Sequence, residues 1–189
     1  MYCNHTIFML YKHRPPDREA GKRSIYVKAK SSPDVSRIGI MRDRPGVRYG
    51  LAGAAFLGRF SEALEPLSLT PIRVLALAYV MQHVGCDQSS LGGVLGMGRA
   101  SAMLLVDKLE GLGYIERRPG ADRRSNALVV TAAGETAFRE ALEMEQILSD
   151  EVFGWMSSDH LNNLLSDIDE MHRRTRSYSL DGSKVLLSS

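Results

Sequence analysis

Between Asp87 and Gly134 the spacing of apolar residues changes twice. Ala102, Leu105, Val106 and Leu109 recur at i, i+3, i+4 and i+7, which predicts one inward face of a helix from about Arg99 to Gly111. A shorter helical stretch precedes it, opened by Asp87 and closed by Gly96-Met97-Gly98, where glycine permits a tight turn. Beyond Gly113 the pattern turns to alternation in Tyr114–Arg118, and a second strand follows in Asn126–Val130. Pro119–Ser125 joins the two as a loop. Helix, tight turn, helix, hairpin is the order of a helix-turn-helix followed by a β-wing.

The flanking pattern is helical. In Val47–Leu64, Leu51, Ala54, Ala55, Phe60 and Leu64 line a stripe that Phe56 widens, and Glu65-Pro66 ends it. Leu69-Thr70-Pro71 opens a second helix, with Thr70 as its expected cap and Pro71 at the first helical position. Ile72 to Met81 is apolar almost all round, so burial is expected. Gly85 ends that helix, and Cys86 is expected to begin a very short strand. In the third helix Leu91, Val94 and Leu95 are expected to face inward. Its interior Gly92 and Gly93 each cost roughly 0.8–1 kcal/mol relative to alanine, so neighbours must hold it. Thr131 caps a long helix carrying Phe138, Ala141, Leu142, Leu148 and Val152. Ser157-Ser158-Asp159 caps a last one with Leu161, Leu164, Leu165, Ile168 and Met171. Each pairs an apolar stripe with an acidic opposite face, more than one small domain needs for its own core. Pairing with a second chain is the natural use.

Residues 1–45 show no sustained period and mix Pro15-Pro16 and Ser31-Ser32-Pro33 with scattered basic residues, which reads as a poorly ordered basic arm. Such an arm can touch DNA phosphates; its plain alternative is a solvated tail. The recognisable pattern starts just after Met41, a second candidate start of translation. Residues 176–189 read as a tail.

Charge sharpens this picture. The net +2 hides +7 over residues 1–48 and −5 over the remainder. Six basic and four acidic residues lie between Arg99 and Arg124, whereas Glu135–Glu170 carries ten acidic residues against Arg139 alone. Positive charge around the helix-turn-helix and negative charge beyond it would orient the protein on a polyanion. No apolar run approaches the roughly 18 residues of a membrane span, so no membrane partner and a cytoplasmic location are expected. Two cysteines, Cys3 and Cys86, make neither a disulfide framework nor a metal-ligand spacing, and no cofactor is indicated. No Ser/His/Asp set, paired carboxylates or phosphate-binding glycine loop stands at usable spacing, so an enzyme is not expected. His83 and His160 read as ordinary polar residues near helix ends.

The run Leu69-Thr70-Pro71, Leu105-Val106-Asp107-Lys108-Leu109-Glu110, Gly113-Tyr114-Ile115-Glu116-Arg117, Asp122-Arg123-Arg124 and Val130-Thr131-Ala132-Ala133-Gly134 resembles the MarR family of bacterial transcription regulators. The Asp-x-Arg wing and the strand ending in Thr-x-x-Gly are its most specific parts. The resemblance spans residues 46–175. It implies a mainly α fold with a small β-wing: a winged helix-turn-helix at about 69–131, with N- and C-terminal dimerisation helices at about 47–65 and 131–175. It further implies a homodimer on a near-palindromic operator in double-stranded DNA, usually a repressor released by a small-molecule effector or by thiol oxidation.

The residues support the DNA part on their own chemistry. A helix set after a tight turn can enter the major groove with its first turn against base edges, where Arg99 and Ser101 stand. Lys108, further along, could reach a phosphate, and Gln88 and Ser89 could bind the backbone. Adjacent arginines at a wing tip suit a narrow, electronegative minor groove. By the family's pattern Arg124 is the inserted residue, Asp122 orients an arginine from within the loop, and Arg123 contacts phosphate. Asp107 either pairs with a wing arginine or is a solvated carboxylate. The chain departs from the pattern at Ala100, Met103 and Leu104, where polar residues are common, and at Gly92, where alanine is. Two alternatives remain at this stage: a winged-helix protein-interaction module, motivated by Met103 and Leu104, and a thiol-based redox sensor built on Cys86.

Overall fold

The computed structural model describes residues 39–119 and 126–177. After a 3₁₀ turn at Gly39–Asp43 come helices α1 (Pro45–Ala63), α2 (Pro71–Gln82), α3 (Gln88–Val94) and α4 (Arg99–Gly111). Strands β1 (Ile115–Pro119) and β2 (Asn126–Val130) pair antiparallel, and helices α5 (Ala132–Phe153) and α6 (Ser158–Ser177) follow. Fold class and element order are those expected. Residues 39–45, assigned to the arm, instead form the 3₁₀ turn and the first residue of α1, and α6 runs two residues into the expected tail.

The core gathers where α2, α3, α4, the hairpin and the start of α5 converge. Leu64, Leu77, Val80, Leu91, Val106, Leu109, Ile115 and Leu128 are fully buried, each aliphatic side chain stabilising the fold by roughly 1.5–3 kcal/mol. The predicted inward face of α4 is confirmed in full, since Ala102, Leu105, Val106 and Leu109 are all buried. Two expectations fail. Helix α2 is not apolar-buried all round, because Leu75 is exposed and Ile72 borders on it. In α3, Leu91 is buried but Val94 faces out; a helix of seven residues has only one side against its neighbours.

Caps set the boundaries. Asp87 Oδ1 accepts from Ser90 N–H at 2.7 Å, as predicted. Thr70 does not cap α2 with its side chain; only its carbonyl accepts, from Arg73 and Val74 N–H. Helices α3 and α4 end alike. Gly96 and Gly113 take positive φ, and the next residues return N–H bonds to carbonyls five back, Met97 to Gly92 and Tyr114 to Leu109. Only glycine adopts that backbone without a Cβ penalty. Cys86 begins no strand, yet the Gly85–Cys86 linker pairs with the free edge of β2: Gly85 N–H donates to the Leu128 carbonyl, and Leu128 N–H to the Cys86 carbonyl.

Thr131 ties the wing to α5. Its Oγ1 accepts from Gly134 N–H and donates to the Gly113 carbonyl at 2.6 Å. Gly134 is buried where α5 passes the hairpin base, and a Cβ there would overlap the Tyr114 carbonyl. The Thr-x-x-Gly motif is therefore a cap plus a close approach. The Tyr114 hydroxyl donates in turn to the Leu67 carbonyl, locking the hairpin onto the α1–α2 connection.

The remaining helices are poorly covered. None of residues 158–176 in α6 is buried, and Leu57, Ile147, Trp155 and Leu165 are all at least 45% exposed. No single helix among the described residues is long and apolar enough to cross a membrane.

Candidate nucleic-acid interface

Between α3 and α4 the chain bends by 111°, the geometry of a helix-turn-helix pair. The Gly96 turn makes the bend, and small residues let the helices close on each other. A Cβ on Gly92 would stand 3.0 Å from Ala102 Cβ, tighter than an ordinary contact, which gives a physical reason for glycine there. The N-cap of α4 is Gly98, so no side chain competes for the first-turn N–H groups.

Burial of one face of α4 decides what the other presents. Arg99, Ser101 and Lys108 are exposed, together with Ala100, Met103 and Leu104. Gln88 is half-buried and Ser89 exposed at the start of α3. Gln88, Ser89 and Arg99 come together around one shallow cleft of about 230 Å³, floored by Gly92 and Met97. Ser101 and Lys108 lie outside that cleft, on the exposed surface of α4. Asp122, Arg123 and Arg124 lie outside the described residues.

Sequence reasoning missed Arg117. In β1 the two-residue period puts Arg117 on the same face as buried Ile115, opposite Leu128 across the hairpin, and so over α4. Its guanidinium bonds Asp107 at 2.5 Å and, through its other terminal nitrogen, Glu110. Asp107 thus pairs with an arginine of the wing's stem. Arg118 falls on the opposite face and pairs with Glu116, two residues back on the same strand. The alternation itself was the signal that could have assigned Arg117. The consequence is electrostatic: both carboxylates of α4 are tied to one cation, and Arg99 and Lys108 make no ion pair with any described residue.

Cys86 is half-buried, and burial, then the Asp87 carboxylate, pushes its thiol above the ordinary value. A redox-sensing thiolate requires the opposite shift. No cluster of metal-ligating side chains occurs among the described residues. His83 stacks on Tyr79 at the end of α2, and His160 lies in the first turn of α6, as expected of structural polar residues.

A bent helix pair, an outward helix face bearing cations, and a hairpin strapped to that helix define a winged helix-turn-helix. The sequence profile of the MarR family matches residues 67–125, a stretch that runs from just before α2 through the first wing strand. Solved structures agree on the fold. The transcriptional repressor CouR bound to a 23-mer DNA duplex is 24% identical, with a TM-score of 0.67, covering 72% of this chain and 97% of that one. CouR from Rhodococcus jostii RHA1 bound to p-coumaroyl-CoA is 21% identical, with a TM-score of 0.62 and coverage of 70% and 94%. A mutant MarR from E. coli complexed with operator DNA is 20% identical, with a TM-score of 0.61 and coverage of 67% and 91%. No curated protein matches the chain.

Proposed function

We propose that the protein is a dimeric, sequence-specific transcription regulator, a repressor that binds a pseudo-palindromic operator with α4 in the major groove and the wing at the minor groove, Arg124 inserted and Arg123 on phosphate. One observation carries this reading. The face of α4 turned away from the core presents Arg99, Ser101 and Lys108, while Arg117 holds both of the helix's carboxylates. A surface so arranged is cationic where it would meet phosphate. In this reading Gln88 and Ser89 bind the backbone beside Arg99, and Asp122 orients an arginine from within the wing loop.

Uncovered apolar residues on α1, α5 and α6 support homodimerisation, because a helix with no buried residue over 158–176 needs a partner for its apolar stripe. Phe56 on α1 lies 5.8 Å from Phe153 on α5, so the first and fifth helices already share one surface for that purpose. A small-molecule effector has a candidate seat in the open depression of about 450 Å³ at the wing–α5 junction, where Thr136 and Glu140 supply polar groups among Leu67, Tyr114 and Ala137.

Fluorescence anisotropy on the protein's own upstream DNA, over a range of salt, tests the reading. A steep salt slope, one dimer per site and a large loss in both Arg99→Ala/Lys108→Ala and Arg123→Ala/Arg124→Ala are expected. Weak, sequence-blind binding unmoved by either double variant would refute it. The exposure of Met103 and Leu104 favours a second reading, a protein-interaction module. That reading wins if truncating them abolishes a protein partner while the arginine variants keep every activity.

A further inference from the structure

The buried residues of α4 point one way, and at 100° per residue Ala100, Leu104 and Asp107 point the other. Arg99 and Met103 flank this line on one side, Ser101 and Lys108 on the other. Asp107 is already engaged by Arg117. What remains at the apex is apolar, Ala100 and Leu104, with Met103 beside it: Leu104 is 67% exposed and Met103 48%. Leu104 has no hydrogen-bonding group and the Met103 thioether is only a weak acceptor, so neither is suited to read the polar edges of bases. The major groove offers an apolar side chain one complementary group, the thymine C5-methyl. Cations on both flanks complement the phosphates that wall such a groove and argue for DNA over an apolar protein surface.

Resting on the DNA-binding reading above, we propose that Leu104, with Met103 beside it, determines specificity by packing on thymine methyl groups. The centre of each half-site would then be recognised by its methyls, and hydrogen-bonded readout would be left to Arg99 and Ser101.

The test uses the full chain and a duplex enriched by it from a randomised library. Each thymine in the half-sites is replaced in turn by uracil, which keeps every donor and acceptor and removes only the methyl. Wild type is expected to lose about four-fold in affinity per contacted methyl, the equivalent of roughly 0.8 kcal/mol per buried carbon. Leu104→Ala should bind thymine and uracil duplexes equally with its salt slope intact, and Leu104→Met should restore the discrimination. Because Leu104 is exposed, both variants should fold, which circular dichroism checks. If every uracil replacement is neutral while Arg99→Ala still weakens binding, the methyl contact is refuted and the regulator reading stands. If no duplex is enriched and no salt-sensitive binding appears, the regulator reading itself falls, and this inference with it.

Discussion

The Arg117 guanidinium reaches from the first wing strand to within 2.5 Å of the Asp107 carboxylate on α4. Its other arm holds Glu110, one turn further along the same helix. One side chain thus fixes the wing's angle to α4 and, in the proposed reading, keeps two negative charges from facing a phosphate backbone. Arg117→Ala is expected to cost about 1 kcal/mol of stability, since these pairs are part-exposed. It should weaken DNA binding more than it weakens the fold, because two carboxylates are released beside Lys108. Adding Asp107→Asn should recover part of the affinity and none of the wing's anchoring. Anisotropy and urea melts on the two variants check this; equal affinity in wild type and Arg117→Ala would remove the electrostatic role.

Gly134 admits no side chain. A Cβ would overlap the Tyr114 carbonyl and stand 2.8 Å from Val130 Cγ1. Both neighbours are held, the carbonyl by Thr131 N–H and Val130 by the hairpin. Gly134→Ala should therefore destabilise by about 3 kcal/mol, the upper end of overpacking penalties, despite alanine's better helix propensity. A thermal melt that matched wild type would show that α5 can shift away from the hairpin.

Acid should loosen the start of α3. Bonds from the Ser90 backbone N–H and hydroxyl, then Ser89 N–H, hold the Asp87 carboxyl below its ordinary 3.8. In the window between the depressed folded value and 3.8, the unfolded chain binds the extra proton, so stability rises with pH there and levels off above it. The contribution is lost as pH falls through the folded value. Asp87→Asn keeps the cap without titrating. It should flatten the acid limb of the stability curve while matching wild type to within about 0.5 kcal/mol at neutral pH. An unchanged acid limb would mean that other carboxylates dominate.

Cys86 should be inert as a sensor. Its raised thiol holds little thiolate at neutral pH, and its backbone, not its sulfur, pairs with β2. Cys86→Ser should bind DNA like wild type, with or without peroxide. A peroxide-dependent loss of binding in wild type that the variant lacked would revive the redox reading.

Much of the fold was legible because its signals are local. The period of Ala102, Leu105, Val106 and Leu109 identified the buried face of α4 correctly, and Asp87 and Thr131 capped the helices they were expected to cap. Thr70 stands at the expected cap position before Pro71, but its side chain makes no cap bond. Val94 and Leu75 failed because an apolar residue shows a capacity for burial, while the number of neighbouring elements decides whether burial happens.

The sequence by itself determined the elements, their order and the cations on α4, because propensity, periodicity and capping act over a few residues. Only tertiary structure decided what stands next to what. It set Arg117 across Asp107 and Glu110, ten and seven residues away in the chain. It pressed Gly134 against Tyr114, left residues 158–176 of α6 without a buried side chain, and turned Leu104 outward between Arg99 and Lys108. Contacts between elements depend on how the hairpin twists over the helix pair, and no local pattern in the chain encodes that angle.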